Sequence, residues 1–167
     1  MVVNHGTSPY GQRVETSSGA ALALLLLDGF EAMTAEVVVE LAGQGHPGVT
    51  ATHAFALLAV DAGASGASAL GRRLGVSKQA AAKTIAALEQ LGYVERVADP
   101  ADARRRPLRV TPRGYEMNAI GGAAFTQLKD QLQRTLGDDG LASLEAALAL
   151  IPTLRLDDGR DEPQTPA

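Results

Sequence analysis

Cysteine is absent from this sequence, and aromatic residues make up only 4% of it. The first absence excludes disulfide staples, thiolate metal sites and a thiol redox switch, and it suits a reducing cytoplasm, where the chain is expected to work. The second, set beside a hydrophobic content of 46%, leaves Ala, Leu and Val as the bulk of the apolar residues. That composition favours packed helices over a β-sandwich, so the fold class is expected to be mainly α. Long apolar runs are missing too. The longest, Ala20 to Leu27, stops at Asp28, well short of the ~20 residues of a membrane span. Arg13 ahead of this run raises the question of a signal peptide, but no small-residue cleavage site follows and a helical pattern continues from Phe30 to Leu41. No membrane partner is expected. A phosphate loop, a paired nucleophile and base, and a Gly-rich cofactor fingerprint are all lacking, which argues against an enzyme and against a bound cofactor. The three histidines, His5, His46 and His53, show no ligand spacing, so no metal is expected either.

What the sequence does have is charge of very uneven placement. Its 167 residues suffice for one domain with a proper core. The formal net charge is −4. Between Ser68 and Arg113, however, ten basic residues face four acidic ones, a local +6, while the remainder carries five against fifteen, or −10. A basic centre in an acidic frame is the footprint of a nucleic-acid face, because phosphate attraction is local and the acidic remainder repels unproductive contact. A solvated charge cluster is the plainer reading, so the asymmetry by itself favours DNA only modestly.

Helix signals divide the chain. Residues 1–18 are polar and without periodicity and read as a flexible arm. A first helix is expected from Gly19 to Ala42, capped by Ser17 or Ser18 and stopped by Gly43-Gln44-Gly45. Its first half is apolar on every side, and so short a chain offers little internal volume for such a helix, so a partner subunit is its expected cover. Thr50 caps a second helix from Ala51 to about Val60. Two short helices follow, Ala67 to Leu74 and, after a break at Gly75 and a cap at Ser77, a helix reaching Leu91. This is helix-turn-helix spacing. Tyr93 to Val97 and Leu108 to Thr111 read as a hairpin whose tip holds Arg104, Arg105 and Arg106. Thr111 and Pro112 then open a helix to about Leu136, with a bend expected at Gly121-Gly122, and a last helix runs from Asp138 to Ile151.

On a helical wheel Ala81, Ile85 and Leu88 face one way, and Gln79, Lys83, Ala86 and Gln90 the other. A recognition helix needs a free N-terminus, small residues that admit it to the major groove, and polar side chains that reach base edges. Ser77, Lys78, Gln79, Ala82 and Lys83 supply these, with Arg72 and Arg73 on the helix before. Three adjacent arginines at a hairpin tip repel one another and gain nothing from folding, whereas a minor groove or a line of phosphates would accommodate them. The competing reading is a winged helix used for protein contact; such a module has no need of basic residues on both the helix and the hairpin.

In this order of parts the sequence resembles the MarR family of bacterial regulators over roughly Ala20 to Ile151. ALGRRLGVSKQAAAKTIAALEQLGYVER, Ala69 to Arg96, is similar to the family's helix-turn-helix, and DPADARRRPLRVTPRG, Asp99 to Gly114, to its wing. The wing pattern is met by Asp102, Arg104, Leu108, Val110, Thr111 and Gly114, while Ala103 stands where the family often has a second Arg. The resemblance implies a winged helix-turn-helix over about 50–111 and dimerisation helices over about 19–43 and 112–152 within a single domain of 19–152; the polar composition of 153–167 after Pro152 reads as a disordered tail. It implies that Arg104 is the minor-groove residue, oriented by Asp102, with Arg105 and Arg106 beside it, although which of the three arginines reaches the groove stays open. It further implies a repressor that binds double-stranded DNA as a homodimer on an inverted repeat. Many members bind small aromatic molecules, for which Phe30, Met33, His53, Phe55, Tyr115 and Met117 are the candidate ligand residues here; ordinary packing is the competing account of each.

Overall fold

In a computed structural model, which describes residues 18–98 and 106–155, the chain folds into five α-helices, a two-stranded sheet and a closing 3-10 turn. Their order is α1 (Gly19–Gly43), α2 (Ala51–Asp61), α3 (Ala67–Leu74), α4 (Lys78–Gln90), β1 (Val94–Arg96), β2 (Leu108–Val110) and α5 (Pro112–Leu150). No helix among these residues is long and apolar enough to cross a membrane. The residues group into two compact units, one ending at Gln127 and the other beginning at Leu128.

Caps set most of the helix starts. The Ser18 side chain accepts from Ala21 N–H at 3.1 Å and the Ser77 side chain from Ala80 N–H at 3.1 Å. Thr50 and His53 close a reciprocal capping box at the start of α2. The break between α3 and α4 rests on Gly75, whose φ of 67° lies in the left-handed region that other residues enter at a cost. The turn is then locked by the Val76 N–H donating to Gly71 C=O at 2.9 Å.

The first unit has one core. Leu41 of α1, Ala56 and Leu57 of α2, Leu70 of α3, Ala81 and Leu88 of α4, and Tyr93 ahead of β1 are fully buried, and Val94, Leu108, Val110 and Met117 close it from the hairpin and α5. The strands pair antiparallel with Val94 opposite Val110 and Arg96 opposite Leu108, so the inward valines of the two strands meet. Thr111 joins hairpin to helix: its N–H donates to Tyr93 C=O, its hydroxyl donates to Gly92 C=O at 2.7 Å and accepts from Gly114 N–H at 3.1 Å.

Gly121 and Gly122 both lie within α5. Gly121 is buried, and a Cβ there would stand 3.8 Å from Val37 of α1, so the small residue lets α1 and α5 lie close. The interruption comes at Gly137, with φ 72° and ψ 171°. In the second unit, Lys129 and Glu145 pair at 2.9 Å across that interruption, which holds the lysine above its ordinary range.

Candidate nucleic-acid interface

Helix α4 separates its residues by face. Ala81, Ile85 and Leu88 are buried, while Lys78, Gln79, Ala82, Lys83, Ala86 and Gln90 are exposed. Burial fixes the helix's rotation and therefore its outward set, in which no apolar side chain is larger than alanine. The Ser77 cap satisfies one early backbone donor, leaving others at the N-terminus free to meet an anion. Lys78, Gln79 and Lys83 are exposed on α4, and Arg72 and Arg73 are exposed in the last turn of α3. Among the described residues, none of these four cations takes part in an ion pair or a side-chain hydrogen bond.

Other basic residues of the positive segment are tied into the fold. Arg96 pairs with Glu89 at 2.7 Å, fastening β1 to α4. Arg113 donates to Gly45 C=O at 3.0 Å and lies over the Tyr93 ring, 5.3 Å from its centroid. At the hairpin tip Arg106 is exposed. Asp102, Arg104 and Arg105 lie outside the described residues.

A polar junction around the buried His46 was not foreseen from sequence. His46, 1% exposed, has Nδ1 3.1 Å from the Tyr93 hydroxyl and Nε2 3.9 Å from the Glu116 carboxylate. Together with Arg113 it ties the segment after α1 and the start of α5 to the root of the hairpin. Forty-seven residues separate His46 from Tyr93, and no local pattern announces such a pairing. The one available signal was a histidine set between Gly45 and Pro47 in an otherwise small-residue turn.

The six candidate ligand residues do not form one group. Phe30 and Phe55 stack with centroids 5.8 Å apart, and Phe125 packs on Phe55 at 6.2 Å, so all three phenylalanines of the chain meet. Phe125 was not among the candidates drawn from sequence. Met33 is exposed on α1. Met117 is buried in the core, where the inward face of α5 requires an apolar side chain. Hydrogen bonding to Asp61, and then the negative charge of that carboxylate, keep the Tyr115 phenol above its ordinary range. His53 serves the α2 capping box, and burial lowers its imidazole below the usual value.

Comparison with known proteins puts this arrangement in context. Residues 47–105, the stretch from the entry of α2 into the hairpin, match the MarR family. The crystal structure of MarR is similar to this chain with a TM-score of 0.64 and 26% identity, over 79% of this chain and 95% of that one. The HTH-type transcriptional regulator BilQ of Clostridioides difficile is 29% identical over 80 residues, which are 48% of this chain and 54% of that protein, so the match spans about half the length of that curated relative. A mutant MarR from E. coli, crystallised in complex with operator DNA, shares the fold with a TM-score of 0.63 and 22% identity, over 78% of this chain and 92% of that one. The MarR-type winged helix therefore extends beyond the stretch that sequence alone matches.

Proposed function

We propose that this chain is a MarR-family DNA-binding transcriptional regulator that docks as a homodimer on an inverted-repeat operator. The reading rests on α4, which buries Ala81, Ile85 and Leu88 and offers Lys78, Gln79, Ala82 and Lys83 behind a capped N-terminus. Small residues beside amide and ammonium groups are what a helix needs to enter the major groove and reach base edges. The wing, with Arg104, Arg105 and Arg106 and with Asp102 orienting Arg104, reaches the flanking minor groove in this reading. Two apolar surfaces support a homodimer, each considered on its own: Leu22, Leu25 and Phe30 are more than half exposed on α1, and Leu150 and Leu154 likewise near the end of the described chain.

Selection from a random pool of duplexes by the full-length chain tests the proposal. The expected product is an inverted repeat with half-sites about one turn, ~10 bp, apart. Gln79→Ala should then cost ~1–3 kcal/mol on that operator and relax preference at one position per half-site, with nonspecific affinity scarcely changed. Enrichment of no sequence would overturn the reading and leave the fold to a protein-contact role.

A repressor released by a small aromatic ligand is the form of regulation that the Phe30, Phe55 and Phe125 group favours. Phe30 is 52% exposed beside its stacked partner, so a ring added to that stack would bury apolar surface the chain leaves in water. Displacement of bound operator by phenolic carboxylates, abolished in Phe55→Ala, is the measurement that checks it.

A further inference from the structure

The corner between α2 and α3 holds a shallow cavity of about 330 Å³, lined by Ala62, Gly63, Ala64, Ala69, Arg72 and Arg73. Four of these side chains are a methyl group or nothing, so the floor is open to close approach. The other two are guanidinium groups, and no acidic residue contributes to the lining. Asp61, the carboxylate next to this loop in sequence, accepts from the Tyr115 hydroxyl. The N–H groups of Ala62, Gly63 and Ala64 donate to Leu58, Val60 and Ala59 carbonyls, so an incoming anion would be held by the two arginines rather than by the backbone. Cations near the end of α3 complement its dipole, which accounts for arginines there but not for a space left between them and a floor of alanine and glycine.

Position in the fold selects the anion. The first residues of a recognition helix approach base edges, so the residues just ahead of them face the backbone that walls the groove. Arg73 precedes the α4 cap Ser77 by one turn. We propose that this cavity seats one backbone phosphate of the duplex beside each half-site, anchored by Arg72 and Arg73. The proposal rests on the DNA-binding reading and adds to it a contact blind to sequence, since planar guanidinium forks grip phosphate oxygens whatever base they carry.

A mixed-sequence duplex of about 30 bp is a suitable probe for such a contact, titrated with the full chain across potassium chloride concentrations. Each phosphate contributes about 0.9 to the slope of log affinity against log salt, so losing two seats from a dimer should flatten it by about 1.8 in the Arg72→Ala/Arg73→Ala double variant. Ala69→Leu keeps both charges and fills the cavity, and should weaken binding several-fold and flatten the slope by a similar amount. Should Ala69→Leu lower the melting temperature, Ala62→Leu, at an exposed position, fills the same space. A double variant that binds with the wild-type slope overturns the seat, as does a flattened double variant whose cavity-filling counterparts bind like wild type, because the arginines then act only as diffuse charge. Saturable uptake of inorganic phosphate without DNA, lost in the double variant, would assign the cavity to a free anion and overturn the DNA seat. No binding of wild type to any duplex would instead sink the DNA-binding reading itself.

Discussion

Helices α4 and α1 are both rich in alanine, yet they spend their apolar residues differently. Over 13 residues α4 hides Ala81, Ile85 and Leu88 and shows water no apolar side chain larger than alanine. Over 25 residues α1 buries only Ala21, Thr34, Val37 and Leu41, leaving Leu22, Leu25, Leu27, Phe30 and Val39 exposed. One helix completes its packing inside its own chain; the other holds apolar surface that the chain does not cover. Apolar periodicity in a sequence reports that a face will leave water, and says nothing of whose atoms will cover it.

The contrast is broken most forcefully at Leu25. In the proposed dimer Leu25→Glu places an unpaired carboxylate in the interface twice, at about 3–5 kcal/mol for each copy. Sedimentation equilibrium at micromolar concentration should then show a monomer where wild type is a dimer; a variant that still dimerises would remove α1 from the interface. At Leu88, fully buried in α4, truncation acts on the opposite side of the comparison. Leu88→Ala should lower unfolding free energy by about 2–5 kcal/mol in urea titration while the folded fraction keeps its association state.

The hairpin junction sharpens the comparison at one methyl group. A Cβ at Gly114 would collide with the Tyr93 carbonyl oxygen and stand 2.7 Å from Val110 Cγ1. The backbone there cannot easily retreat, since Thr111 N–H is bonded to Tyr93 C=O and Gly114 N–H to the Thr111 hydroxyl. Gly114→Ala should therefore destabilise the chain by about 1–3 kcal/mol, the usual range for overpacking. Unchanged stability would mean that α5 shifts on the hairpin without penalty.

How much of this was legible depended on the range of the interaction. The break at Gly75, the Ser77 cap and the Thr111-Pro112 start are encoded within a few residues, and the helix-turn-helix emerges from them with its faces assigned. The sorting of α4 was readable because period alone decides it. The His46 junction was not, because its partners Tyr93, Arg113 and Glu116 come from other segments of the chain and meet only after the core has closed. The close approach at Gly121 was hidden for a related reason: a glycine pair in a helix does not name the neighbour, here Val37, that lies against it. The α2–α3 cavity is also a product of assembly, since Ala62 and Arg72 are unremarkable until one helix lies on the other.

The smallest expected effect lies at His53, at the rim of the α2 packing, and it is set by pH. Thr50 and His53 satisfy each other: the Thr50 hydroxyl accepts from His53 N–H, and His53 Nδ1 accepts from Thr50 N–H, each at 3.3 Å. A protonated Nδ1 has no lone pair for the second bond, and burial lowers the imidazole below its ordinary 6.5. The folded value therefore lies under the unfolded one, and between them the unfolded chain holds more protons, so stability rises with pH in that window. The contribution is complete above about pH 6.5 and is lost as the pH falls from there toward the lowered folded value. Urea unfolding of wild type and His53→Gln at pH 8 and pH 5.5 isolates it, because every other group is the same in both proteins. Wild type should lose more stability than the variant between the two conditions. Equal losses would mean that the acid sensitivity of α2 belongs to another group and that the His53 half of the capping box contributes nothing measurable.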